Sequence, residues 1–86
     1  MTHMMPLVLA VVLAAPALAM ADSVPLEQVP AAVRAAIERE LGDGRLEEIE
    51  RETRDGRPVY EVEFTRNNKE HEVLIAEDGT VLKRED

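Results

Sequence analysis

Two hydrophobic periods divide the chain. Val29, Val33, Ile37 and Leu41 recur at every fourth position, with Ala32 and Ala36 beside them, while Arg34, Glu38 and Arg39 fall outside that stripe. This spacing predicts an amphipathic helix over about residues 30–41. Pro25 and Pro30 suit first-turn positions, where a missing N–H is harmless, and Gly42 or Gly44 supplies the left-handed stop. The short PLEQV stretch reads as a helical turn of its own. From Arg45 the period falls to two, and apolar and charged residues alternate almost to the C-terminus. Asp55-Gly56, Asn67-Asn68 and Asp78-Gly79 punctuate that stretch, as tight hairpin turns do. The prediction is a four-stranded antiparallel meander over about 45–54, 57–66, 69–77 and 80–85.

Turn length sets register, and register sets the face of every side chain. Two-residue turns pair Ile49 with Val62, Val62 with Val73, Tyr60 with Ile75, Phe64 with His71 and Ile75 with Leu82. One face then collects Ile49, Tyr60, Val62, Phe64, Val73, Ile75 and Leu82, the natural partner for the helix stripe. The expected fold is α+β, one main helix packed on the sheet in two layers. The opposite face carries Glu48, Glu50, Glu52, Glu61, Glu63, Glu70 and Glu72, with Glu48 facing Glu63, Glu50 facing Glu61 and Glu63 facing Glu72. Beside them Val59, Leu74, Ala76 and Val81 form a small apolar strip.

The first part of the chain has neither period. Residues 6–18 are an uncharged run of Leu, Val and Ala with the length of a signal-peptide core, ending in small-x-small sites at Ala19 and Ala21. The expected organisation is a signal peptide over 1–21, cleaved after Ala21 or after Ala19, and a single domain over 22–86. The protein is then periplasmic or secreted, with no membrane anchor after cleavage. The run is shorter than the roughly 20 apolar residues of a spanning helix, and with no cysteine in the chain a lipid-modified N-terminus is excluded.

Charge narrows the partners. The chain has 18 acidic against 10 basic side chains, a balance that repels nucleic acid and anionic lipid. Without cysteine no disulfide braces a domain this small, so every large apolar residue is needed in the core.

Candidate chemistry is sparse. His71 is flanked by Glu70 and Glu72, but those carboxylates point to the other face, so it reads as a strand histidine packed near Phe64. Tyr60 reads as core, with its hydroxyl at the sheet edge. No nucleophile–base pairing, phosphate loop or Asp/Gly-rich cation loop occurs, which predicts no catalytic residues, no metal site and no cofactor. The glutamates have two readings. One is a solvated face that resists aggregation. The other is a docking surface of Glu48, Glu50, Glu61, Glu63 and Glu72 beside Val59, Leu74 and Val81, taking a basic partner, loosely held divalent cations or a second copy of the domain in a weak homodimer.

The order of VPAAVRAAI on the helix, YEVEF on the second predicted strand and EVLIAEDGTVL across the last hairpin resembles a PepSY-like domain, a small exported module related to the propeptide region of thermolysin-like metallopeptidases. The likeness covers nearly all of the chain beyond residue 21. It implies one helix on a four-stranded antiparallel sheet in an extracytoplasmic protein. It also implies a role in binding or restraining a peptidase, with no catalytic residues to carry over.

Overall fold

The computed structural model describes residues 22–86, so the expected signal segment lies outside the described residues. The elements run β1 (Asp22–Ser23), a 3-10 turn (Leu26–Gln28), α1 (Ala31–Leu41), β2 (Arg45–Arg54), β3 (Arg57–Arg66), β4 (Lys69–Ala76) and β5 (Val81–Glu85). The strands form one antiparallel sheet in the order β1-β2-β3-β4-β5, and α1 covers one face of it. The α+β architecture is the expected one, but the sheet has five strands rather than four. The additional strand is β1, where Asp22 pairs with Arg51 and Ser23 with Glu50, and Val24 N–H donates to Ile49 O at 2.9 Å. Two polar residues are too few to leave an alternating pattern, so only the backbone pairing reveals them.

The helix stripe does what its spacing predicts. Val33, Ala36 and Ile37 are buried, as is Val29 ahead of the helix, and they pack with Ile49, Tyr60, Val62, Phe64, Val73 and Ile75. Ala32 is exposed instead, because it sits at the helix start beside the last hairpin. Every residue of that core lies between Val29 and Ile75, and the half-buried residues against it between Val24 and Val81. The helix ends at Gly42, which takes φ 55° while its N–H bonds Glu38 O. Two arginines tie the helix end to the sheet. Arg66 donates to Glu40 O at 2.5 Å, and Arg84 bonds the Glu40 carboxylate at 2.6 Å.

The first two hairpins follow the expected two-residue turns. Arg54 pairs with Arg57 and Arg66 with Lys69, and Asp55, Gly56, Asn67 and Asn68 all take positive φ, the signature of turns that match strand twist. In β2 a bulge at Glu47 lets both Leu46 and Ile49 reach the core side.

The last hairpin corrects the sequence reading. Gly79 N–H bonds Ala76 O at 2.9 Å and Ala76 N–H bonds Thr80 O at 2.8 Å. Only Gly79 has positive φ there, at 89°. This is a three-residue loop, Glu77-Asp78-Gly79, rather than a two-residue turn. It places Val81, not Leu82, opposite Ile75, and a register shift then brings Lys83 opposite Leu74. Leu82 is the extra residue of that bulge. The two side chains exchange roles: Val81 is half-buried against the core, and Leu82 is 53% exposed. Gly79 also needs its missing side chain, since a Cβ there would stand 2.6 Å from Ala32 O.

The corrected register predicts unequal responses to the same charge. Val62 is 0% exposed, so Val62→Asp buries a carboxylate under the helix without a partner and should cost more than about 3 kcal/mol or abolish folding. Leu82→Asp should stay within about 0.5 kcal/mol, the usual range for surface substitutions. Chemical denaturation of residues 22–86 measures both.

Candidate functional site: the glutamate face

The uncovered sheet face is laid out in rows by strand pairing. One row runs Glu48, Glu63, Glu72 and Glu85, and the next runs Glu50, Glu61, Leu74 and Lys83. The third runs Glu52, Val59 and Ala76, and beyond it Arg54 pairs with Arg57 at the hairpin end. The face is therefore graded, dominated by carboxyls at one end and mixed at the other, where Arg54 and Arg57 stand with Asp55, Glu77 and Asp78 around apolar side chains. Sequence reasoning placed Glu48, Glu50, Glu61, Glu63 and Glu72 together, and the strand register brings all five together.

The apolar strip is partly different from expectation. Val59, Leu74 and Ala76 line one depression with Leu82, together with Pro58 and the flanking Arg54 and Arg57. Val81 is not part of it, having turned to the core side. Val59 lies on this face but is only 6% exposed, so Leu74 and Leu82 supply the accessible part. Glu85 opposite Glu72 also belongs to the acidic row and was not among the predicted residues.

Glu61 is the electrostatic centre. Its carboxylate oxygens come within 4.8 Å of those of Glu50 and Glu52 on one side, and of Glu63 and Glu72 on the other. A hydrogen bond with Glu72 and partial loss of water, reinforced by Glu52, push the Glu61 carboxyl up to about 8. Two anionic carboxylates cannot share a hydrogen bond, so Glu61 keeps its proton at neutral pH. Glu50 is raised by desolvation and by Glu48, and Glu63 by desolvation and by Glu48 and Glu72. Cations relieve only the margins: Arg54 grips Glu52 at 2.9 Å, and Lys83 pairs with Glu85 at 2.7 Å.

On the core side His71 stacks on Phe64 with centroids 5.1 Å apart and planes 15° apart. Its Nδ1 lies 2.8 Å from Asp86 Oδ1, and that contact with Lys69 nearby holds the Asp86 carboxyl below its ordinary range. The strand-histidine reading stands; Asp86, from the last residue of the chain, gave no sequence signal. A carboxyl raised into the neutral range can mark a general acid. Here Glu61 is bordered by the carboxyls of Glu50, Glu52, Glu63 and Glu72 and shares a depression with Arg54, Leu74, Lys83 and Glu85, and among the described residues no hydroxyl, thiol or imidazole lines it.

The comparison with known families agrees with the helix-on-sheet architecture. The family described as Peptidase propeptide and YPEB domain (PepSY) matches residues 23–85. The chain belongs to the PepSY family. No curated protein matches it significantly. PepSY membership fits a small non-catalytic module, and no helix among the described residues is long and apolar enough to cross a membrane.

The crowded carboxyls make stability depend on pH with a definite sign. Glu61 binds its proton more tightly in the folded than in the unfolded chain. Its contribution is complete below about pH 4.3 and is lost as pH rises through about 8. Glu50 and Glu63 shift in the same direction. Glu40, Asp78 and Asp86 are lowered and act oppositely, their stabilisation disappearing only in more acidic solution. Tm should fall from pH 5 to pH 9, and Glu61→Gln should flatten that slope. Solvent screening limits the effect to about 1 kcal/mol, or roughly 4–8 °C for a domain of this size. Calorimetry across that range reads it directly.

Proposed function

We propose that this PepSY domain is an extracytoplasmic, non-catalytic binding module whose glutamate face receives a cationic surface of a partner protein. The observation that carries this reading is the crowding of Glu61, whose carboxylate oxygens stand within 4.8 Å of those of Glu50 and Glu52 and of those of Glu63 and Glu72. A face that only had to stay soluble gains nothing from glutamates paired directly across neighbouring strands, each of which costs a few tenths of a kcal/mol or more. A lysine or arginine of a partner turns that repulsion into attraction and speeds encounter. The depression lined by Val59, Leu74, Ala76 and Leu82 adjoins the carboxylates and offers apolar contact beside the charges. A peptidase of the same compartment is the candidate partner that the family suggests, with restraint of that peptidase as the outcome.

A second reading rests on the two glutamate triples. Glu50, Glu52 and Glu61, and then Glu61, Glu63 and Glu72, each bring carboxylate oxygens within 4.8 Å of one another, and hard divalent cations favour such oxygens. Calcium would then raise Tm beyond what sodium does at equal ionic strength.

The test is capture from the extracytoplasmic fraction by immobilised residues 22–86, wild type against Glu50→Gln/Glu61→Gln/Glu63→Gln. The wild type should retain a basic partner at low salt and release it at high salt, and the variant should retain little at either. Equal recovery by both proteins would leave the glutamates as a solubilising surface. An inhibition assay against any captured peptidase then reads the restraint itself.

A further inference from the structure

The hairpin end of the open face carries a charge pattern that complements itself. Arg54 and Arg57 are directly opposed on β2 and β3, a like-charged pair, and Glu50 and Glu61 are an opposed pair of carboxyls in which Glu61 holds its proton until a cation comes close enough to displace it. Between them lies the row of Glu52, Val59 and Ala76. The arginine pair stands two residues to one side of that row and the glutamate pair two residues to the other. Within one copy each pair is unfavourable. Arg54 is already bonded to Glu52, which neutralises the one charge of the middle row. Arg57 enters no ion pair among the described residues. The same end holds Leu82, the exposed large hydrophobic residue among the described residues, beside Leu74, Val59 and Ala76.

We propose that a second copy of the domain docks face to face on this end, about a two-fold axis along the Glu52–Val59–Ala76 row, so that Arg54 and Arg57 of each copy lie over Glu50 and Glu61 of the other. An in-plane axis across the strands reverses strand direction and lays β2 over β2 and β3 over β3. Positions two residues before the axis then meet positions two residues after it. Such an isologous contact closes at two copies. Packed sheets stand about 10 Å apart, a gap that an arginine and a glutamate span together, while the small Val59 and Ala76 leave the centre unobstructed. The roughly 30° rotation between aligned sheets moves positions two residues from the axis by about 3 Å, within the play of an arginine side chain.

The overlap is limited by charge as well. The row of Glu48, Glu63, Glu72 and Glu85 falls beyond it, so a further slide would press carboxylates onto Val59 and Ala76. The contact is therefore short. It falls below the roughly 1,200 Å² of stable interfaces, so association belongs near about 0.1 mM rather than the nanomolar range. It shares Glu50, Glu61 and the apolar depression with the surface offered to a basic partner, so the two contacts exclude each other, but it does not depend on that reading.

Sedimentation equilibrium of residues 22–86 from about 10 µM to 1 mM tests the pairing. Wild type should show monomer–dimer exchange. Arg54→Glu/Arg57→Glu should weaken it at least about tenfold, as should Glu50→Arg/Glu61→Arg, because each leaves like charges facing across the axis. The four substitutions combined should restore dimerisation to within about threefold of wild type, since every cross-axis pair is again of opposite sign. Far-ultraviolet circular dichroism verifies that each variant is folded, and a variant that is not is replaced by the corresponding glutamine substitutions, which should weaken association without rescue. A monomer at 1 mM, association indifferent to these charges, or a folded quadruple variant without recovery would each overturn the proposal.

Discussion

The domain rests on the apolar seal between α1 and one face of the sheet. Val33, Ala36 and Ile37 close over Val62 and Ile75, and these positions are almost without solvent contact. No disulfide or buried ion pair supplements them among the described residues. An eleven-residue helix cannot cover both faces of a sheet, and among the described residues the other face is left uncovered. Alternation along β2, β3 and β4 is the sequence record of that division. Around the seal the polar ties are peripheral. Arg84 and Arg66 bind the end of α1, and Gly79 lets the last hairpin press against its start.

What could be read from the sequence was what local chemistry controls. Asp55-Gly56 and Asn67-Asn68 demand positive φ at adjacent residues, and that requirement alone fixes the pairing of β2, β3 and β4. The core residues on those strands and the five principal glutamates follow from it. The last hairpin escaped because Asp78-Gly79 fits two loop lengths, and the longer one, compensated by a bulge, leaves residues beyond Leu82 in the expected register. The local exchange of Val81 and Leu82 is the whole difference. Other features have no local signal at all. Arg84 meets Glu40 from 44 residues away, and β1 is visible only as backbone bonds to β2. The proton on Glu61 arises from carboxyls on three strands, so it exists only once the sheet is assembled.

PepSY membership and the open face address different questions. Family membership fits a small non-catalytic module built as a helix on an antiparallel sheet. The open face carries a gradient from paired glutamates to an arginine-rimmed apolar depression. Sheet faces of a single sign repel copies of themselves everywhere. A graded face repels over most of its area and tolerates contact at one end, which confines whatever binds there to few orientations.

The placement of the two ends of the sheet has a mechanical consequence. β1 and β5 are opposite edges, with three strands between them in serial antiparallel order. Tension applied through Asp22 and Asp86 therefore acts across the strands, along the direction of the inter-strand hydrogen bonds rather than against their shear. Bonds loaded that way break one after another instead of all together. β1, held by two residue pairs, gives way first, and β5 can peel from β4 once Arg84 releases Glu40.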